Sequence, residues 1–411
     1  MKKSNGEPRH SAVAISLSVV LWVALVGGFV AVIQHASSTK ADPSGPSNVH
    51  VGSFNHIYPS DPFPFERPPV GTSSPYVDST GRLHTGASAS SMSGFARVSP
   101  AGAWIQQSAH VWRLTRPLEL GVGSTVSLRG PLTIEIVPNA FLLAQHGSVL
   151  KLVDVTVKGI DSRGRLQSHA VTGRGFIDAR SGAVLQLEHD TFIDLGYLGD
   201  QTYGITIDGG SGTSYVDHCS VTGDFFGVYL GRVNGAKVTN SRFVNSVIYG
   251  IDPHTYDTKL TIANNTVIGS GVHGIVVADH VTHSLISRNH VLNSRDHGIV
   301  LFQFADNNTI SDNQIIGTFD GIVITDSSRN RIVGNQIGPS ARFGVRIGGI
   351  SSQNVLQRNV ISHAIVGAYI YQGASLNTLN NNSFSAAYEN VRVRSDAPNN
   401  IVTPNPGRSE L

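Results

Sequence analysis

A glycine followed by an apolar residue returns about every 23 residues across the second half of this chain. The series is Gly204-Ile205, Gly227-Val228, Gly250-Ile251, Gly274-Ile275, Gly298-Ile299, Gly321-Ile322, Gly344-Val345 and Gly367-Ala368, with gaps of 23, 23, 24, 24, 23, 23 and 23. A period of that length holds one supersecondary unit, so the chain is counted in coils rather than in globules. The coil Gly298 to Asp320 contains three short β-prone pieces, Ile299-Val300-Leu301, Asn308-Thr309-Ile310 and Gln314-Ile315-Ile316, separated by corners of Asn, Asp, Gly and Ser. Three strands per repeat with no helix between them is the pattern of an all-β, parallel β-helix, whose coils stack about 4.8 Å apart. The apolar residues after the glycines, Ile205, Val228, Ile251, Ile275, Ile299, Ile322 and Val345, are expected to form one inward ladder.

The same register carries an asparagine column. Asn265, Asn289, Asn313, Asn359 and Asn382 lie 15 residues after their glycines, and Asn335 lies 14 after. A side-chain amide both donates and accepts, so stacked asparagines can satisfy a buried corner. Between Thr115 and Asp200 the coils are less regular. Thr125-Val126-Ser127-Leu128, Thr133-Ile134-Glu135-Ile136-Val137 and Leu150-Lys151-Leu152-Val153 read as early coils of the same solenoid. Residues 96–115 are the expected source of a cap for that end.

The remaining chain divides by composition. Residues 1–11 carry Lys2, Lys3 and Arg9, and 12–33 form an uncharged, mainly apolar run. Its 22 residues reach ~33 Å as a helix, enough for a bilayer core of ~30 Å. The basic flank places the N-terminus in the cytoplasm and the solenoid outside, as a single-pass membrane protein with the bilayer as one partner. A cleaved signal peptide is the rival reading, with a site near Thr39-Lys40-Ala41, but the apolar run is long for one. Residues 34–95, rich in Pro, Ser and Gly, read as a tether, 96–398 as the β-helix, and 399–411 as a disordered tail. A net charge of +2 gives no ground for a nucleic-acid partner. Cys219 is the one cysteine, so no internal disulfide forms. No acidic calcium repeat and no zinc-type His/Cys spacing is present, so no cofactor or metal is expected. A solenoid capped at both ends is expected to be monomeric.

One coil breaks the repeat: Tyr249-Gly250-Ile251-Asp252-Pro253-His254. Counting from the glycine, positions +1 and +3 point inward and +2 and +4 outward. The +2 column reads Thr206, Tyr229, Asp252, Val276, Val300, Val323, Arg346. The +4 column reads Asp208, Gly231, His254, Ala278, Phe302, Thr325, Gly348. Asp252 and His254 are therefore expected in solvent on one face. That face is a stripe of titratable, aromatic and basic groups, with Phe302 and Arg346 farther along, suited to a linear acidic polysaccharide. Proline at +3, where other coils place a β-branched residue or leucine, and a second acid at Asp257, mark a local exception of the kind found at functional sites.

These residues carry a resemblance. The run Tyr249 to His254, with Leu260-Thr261-Ile262-Ala263-Asn264-Asn265-Thr266-Val267 and His273-Gly274-Ile275-Val276-Val277, resembles the mannuronan C5-epimerases of the alginate pathway. Tyr203-Gly204-Ile205-Thr206 and Phe226-Gly227-Val228-Tyr229 extend the similarity. The resemblance implies a right-handed β-helix with a DPH motif. It implies an isomerase in which His254 removes the proton at C5 and Asp252 and Asp257 orient and stabilise the imidazole. Two departures stand out. Thr255 replaces a second aspartate after DPH, and Asp279, followed by His280, stands where the family places an arginine that neutralises the substrate carboxylate. Arg232, Lys259 or His280 would have to replace that cation. Tyr229 and Tyr256 would serve as proton donors or sugar platforms. A lyase acting on the same face and a non-catalytic glycan-binding scaffold are the alternatives.

Overall fold

The computed structural model describes residues 74–403 apart from 79–80, 146, 168–172, 200, 211 and 387. The expected membrane span at 12–33 and most of the tether lie outside the described residues. Among those that are described, no helix is long and apolar enough to cross a membrane.

Parallel strands dominate. One sheet of 14 strands starts at Tyr76–Val77 and Leu83–His84 and ends at Val366–Ile370 and Glu389–Val393. All its neighbours pair in parallel except the first two, which pair antiparallel. Two further strand stacks complete each coil and fuse at the long strands Thr125–Ile136 and Val149–Gly159. Thr125-Leu128 and Thr133-Ile136, separate pieces in the sequence reading, are two halves of one strand with a register shift between Arg129 and Leu132. The whole is a right-handed parallel β-solenoid. Its core contains the ladder expected from the repeat: Ile205, Val228, Ile251, Ile275, Ile299, Ile322 and Val345 are fully buried.

The repeated glycine is required by space. A Cβ on Gly274 would stand 2.3 Å from Val291 Cγ1 and 2.6 Å from the carbonyl of Gly298, and Gly250 and Gly298 are equally crowded by Val267 and Ile315. At this point the chain presses against the opposite wall of its own coil.

The body extends beyond the limits expected from composition. Leu83–His84 pairs with Leu118–Glu119 to begin the large sheet. The short helix α1 (Met92–Arg97), capped by the Ser91 side chain, buries Met92 and Phe95 in the core. Together with the hairpin Trp104–Ser108/Val111–Leu114 it closes the N-terminal end. The solenoid therefore takes in residues from Tyr76, assigned above to the tether. At the other end Ile401–Val402 still pairs with Thr378–Leu379, inside the expected tail. The low hydrophobicity of both segments hid their edge-strand role.

Candidate active site

The strand Ile251–His254 carries the irregular coil. It pairs in register with Phe226–Gly231, as Tyr229↔Asp252 and Gly231↔His254, so the outward columns are those counted from the glycines. Pro253 occupies the inward column between Leu230 and Val277. Proline has no N–H to give to the ladder. Pairing with the next rung is correspondingly reduced to Ile251↔Ile275, whereas that rung pairs with its successor at four positions.

The outward face is more closed than the alternation implied. Asp252, expected in solvent, is only 1 % exposed. The residue before each glycine also faces outward and is usually a ring. Tyr203, Phe226, Tyr249, His273 and His297 stack with centroids 4.6, 5.1, 5.3 and 4.8 Å apart. With Tyr229, Val276 and Ala278 these tyrosines and Phe226 form a second apolar cluster outside the sheet, against which Phe302 packs. The acid column lies inside this layer. The signal was present in sequence as the residue preceding each glycine.

The two groups of the motif are held in different ways. His254 is half-buried. Its Nδ1 is 2.6 Å from Thr255 Oγ1, its backbone N–H donates to Asp257 Oδ2 at 3.1 Å, and its ring lies 6.2 Å from that of Tyr229. Burial lowers its pKa from the usual histidine value, with Asp279 opposing. With Nδ1–H donating to Thr255, Nε2 presents a lone pair, the arrangement of a base. Burial alone lifts the Asp252 carboxyl well above the carboxylate range, and its Oδ1 has no hydrogen-bond partner among the described residues. Burial thus favours the neutral form of both the acid and the base two residues along.

Asp257 is not beside the imidazole. The bridges Asn234↔Thr258 and Thr258↔Thr282 align it with the buried Val233 and Val281, in an inward corner column. There its oxygens accept the Val233 and His254 N–H groups at 2.8 and 3.1 Å. It fixes the backbone that carries His254 and does not touch the ring.

The expected cations are placed less favourably. The Arg232 guanidinium pairs with the Asp208 carboxylate, and its charge is already matched. Lys259 lies past Asp257 on the corner leading to Thr261–Ala263, off the strand face. His280 Nδ1 is 2.9 Å from Asp279 Oδ1. Tyr256 is 61 % exposed, but one face of its ring is taken by His280 at 4.6 Å, and His280 in turn lies tilted against Phe304 at 5.0 Å. These three rings rise from consecutive corners, Thr255–Tyr256, Asp279–His280 and Gln303–Phe304, each with two residues at positive φ. Tyr229 is buried, its ring tilted against that of Tyr203 at 4.9 Å. Arg346 lies four rungs from Asp252 in the same column, in contact with His297 and Asp320.

Three-stranded coils stacked in parallel, with titratable groups gathered on one sheet, define a β-solenoid protein with a candidate site on its lateral face. The sequence matches the family described as right handed beta helix region over residues 174–337 and 260–405, and the chain belongs to that family. Among solved structures it is similar to the periplasmic alginate epimerase AlgG, at 18 % identity and a TM-score of 0.73, covering 79 % of this chain and 85 % of that one. DFA-IIIase from Arthrobacter chlorophenolicus A6 in complex with GF2 is similar at 13 % identity and a TM-score of 0.53, with 69 % and 86 % covered. The mannuronan C-5 epimerase AlgE6 A-module of Azotobacter vinelandii is similar at 14 % identity and a TM-score of 0.48, with 73 % and 89 % covered. The neighbours thus include the epimerases that the motif resembles; at these identities the likeness is one of fold. No curated protein sequence matches.

Proposed function

We propose that the chain is a carbohydrate-active β-helix that inverts C5 of a polyuronate, with His254 as the base. The observation that carries this is the placing of His254 and the buried Asp252 two residues apart on one rung, where burial favours the neutral form of each. In this reading Nε2 of His254 takes the C5 proton, and the C–H electron pair moves into the substrate carboxylate. The Tyr229 hydroxyl returns a proton to the opposite face of C5. The developing charge needs a partner, and here no unpaired arginine is required. A neutral Asp252 donates a hydrogen bond to the carboxylate, which in a desolvated site substitutes for a cation. Thr255 keeps the imidazole in its basic tautomer, and Asp257 holds its backbone. The segment 12–33 would tether the enzyme to the membrane with the solenoid outside the cytoplasm.

Proton NMR of the full-length chain with polymannuronate in heavy water tests the reading. Deuterium at C5 with new guluronate signals is expected, and a His254→Ala chain should show neither. Unsaturated chain ends would identify a lyase instead. A specific observation supports a second reading, a glycan-binding scaffold: Asp279 lies close enough to raise the His254 pKa, and it would repel a uronate. Retained binding with no C5 exchange at any pH would select that reading.

A further inference from the structure

Beyond the ring column the same face contains a buried charged cluster that the proposed reaction does not use. Asp320 receives Arg342 through both oxygens, Nε to Oδ1 at 3.1 Å and Nη2 to Oδ2 at 2.9 Å. Arg342 is held by the rings of Phe319 and Phe343, 4.4 and 4.7 Å from its guanidinium carbon. Arg346, 5 % exposed, has its Nε 3.2 Å from the same Asp320 Oδ2. Its two terminal nitrogens meet only neutral groups at the limit of hydrogen bonding, the Tyr371 hydroxyl and His297 Nε2, each at 3.4 Å. Burial, then Arg346 and Arg342, push the His297 pKa down to about 3, so this imidazole adds no charge at neutral pH. Arg342 and Arg346 thus share Asp320, with the half-buried Asp296 close enough to act on that carboxylate. The terminal nitrogens of Arg346 have no carboxylate of their own among the described residues, and a carboxylate is the ligand such a fork fits.

The position matters as much as the charge. His297 is two rungs along the ring column from Tyr249, which precedes the glycine of the His254 rung. Arg346 stands four rungs from Asp252, and its fork meets His297, Asp320 and Tyr371, so it lies two to four rungs, roughly 10–19 Å, from the His254 rung along the stack. An extended sugar chain laid across the rungs and engaging His254 would reach it with a unit farther along.

We propose that Arg346, supported by Arg342 and His297, forms a second subsite that binds the carboxylate of a uronate unit farther along the chain from the one at His254. The proposal rests on the reading of this face as a polyuronate-binding surface. The subsite would hold the chain in register, so that the reacting unit needs only the neutral donor Asp252.

The test is calorimetric binding of hexamannuronate and neutral mannohexaose to full-length chain carrying His254→Ala, which removes turnover. Hexamannuronate should bind more tightly than mannohexaose and weaken with salt. Adding Arg346→Gln should weaken hexamannuronate about tenfold or more and leave mannohexaose unchanged. If that chain fails to fold, Arg342→Gln removes the neighbouring positive charge on Asp320 and should weaken hexamannuronate several-fold. Equal affinity for the two hexasaccharides, or hexamannuronate affinity unchanged in the folded variant, overturns the subsite. C5 exchange is read separately on the unsubstituted chain. Its absence alongside Arg346-dependent binding removes the epimerase reading and leaves the subsite standing. Exchange without Arg346-dependence does the reverse.

Discussion

Asp252 and His254 are two residues apart on one strand, and burial moves both toward their neutral forms. The carboxyl is raised and the imidazole lowered, because a desolvated site penalises either charge. The sign of each shift fixes a pH profile. His254 is a free base above its lowered pKa, so the acid limb of kcat/KM should fall below the usual histidine value near 6.5. Asp252 is a donor only below its raised pKa and should set the alkaline limb. Asp252→Asn keeps an N–H donor and should retain most activity while losing that limb. Asp252→Leu has no donor and should cost about a hundredfold or more in kcat. Equal activity of the Asn and Leu chains would remove Asp252 from the chemistry. Alternation along the strand located both residues in the sequence. It did not reveal their burial, because the layer covering Asp252 comes from the residue before each glycine, which a strict period of two does not place outward.

The coil is the next scale, and the asparagines show what holds it closed. Asn313 Nδ2 donates to Asn335 Oδ1 and to the Ile286 carbonyl, both at 2.9 Å, while its Oδ1 accepts both the backbone and side-chain N–H of Asn289. Every polar atom of the amide is used in a site with no access to water. Asn313→Ala removes four buried hydrogen bonds, although Asn335 Oδ1 and Asn289 Nδ2 each keep another partner, and should lower unfolding free energy by about 3 kcal/mol or more, read by urea denaturation. An effect below about 1 kcal/mol would mean that the ladder adapts. This column was legible because it keeps a fixed count from the glycine. A second ladder, Asn308, Asn330, Asn354, Asn377 and Asn400, is bonded in the same way but begins only midway along the solenoid. In the sequence Asn308 reads as the first residue of the β-prone piece Asn308-Thr309-Ile310. Asp257 shows the limit of reading types without register. An acid near a histidine suggests a partner for the ring, but here a buried corner places it under the backbone.

At the scale of the molecule, acids whose desolvation outweighs their hydrogen bonds and countercharges make stability depend on pH in an unusual direction. Burial raises Asp190 to about 7, and Asp224, Asp252 and Asp257 also lie well above the carboxylate range. For a carboxyl whose folded pKa is raised, stability is fully present below about pH 4 and is lost as pH rises through the folded value. Asp190→Asn abolishes this linkage at one position. Relative to that variant, the unsubstituted chain should lose stability by about 1.4 kcal/mol per pH unit between roughly pH 4 and 7. A constant difference across that range would show that Asp190 is ionised in the fold. The repeat also has a directional consequence. Tyr256, His280 and Phe304 stand on three successive corners and on one margin of the strand face. They form a kerb along one side of the strand face, present over part of its length. Under the proposed function, a polyuronate laid forwards or backwards would meet this kerb with different edges, so its direction would be selected before any sugar reaches His254.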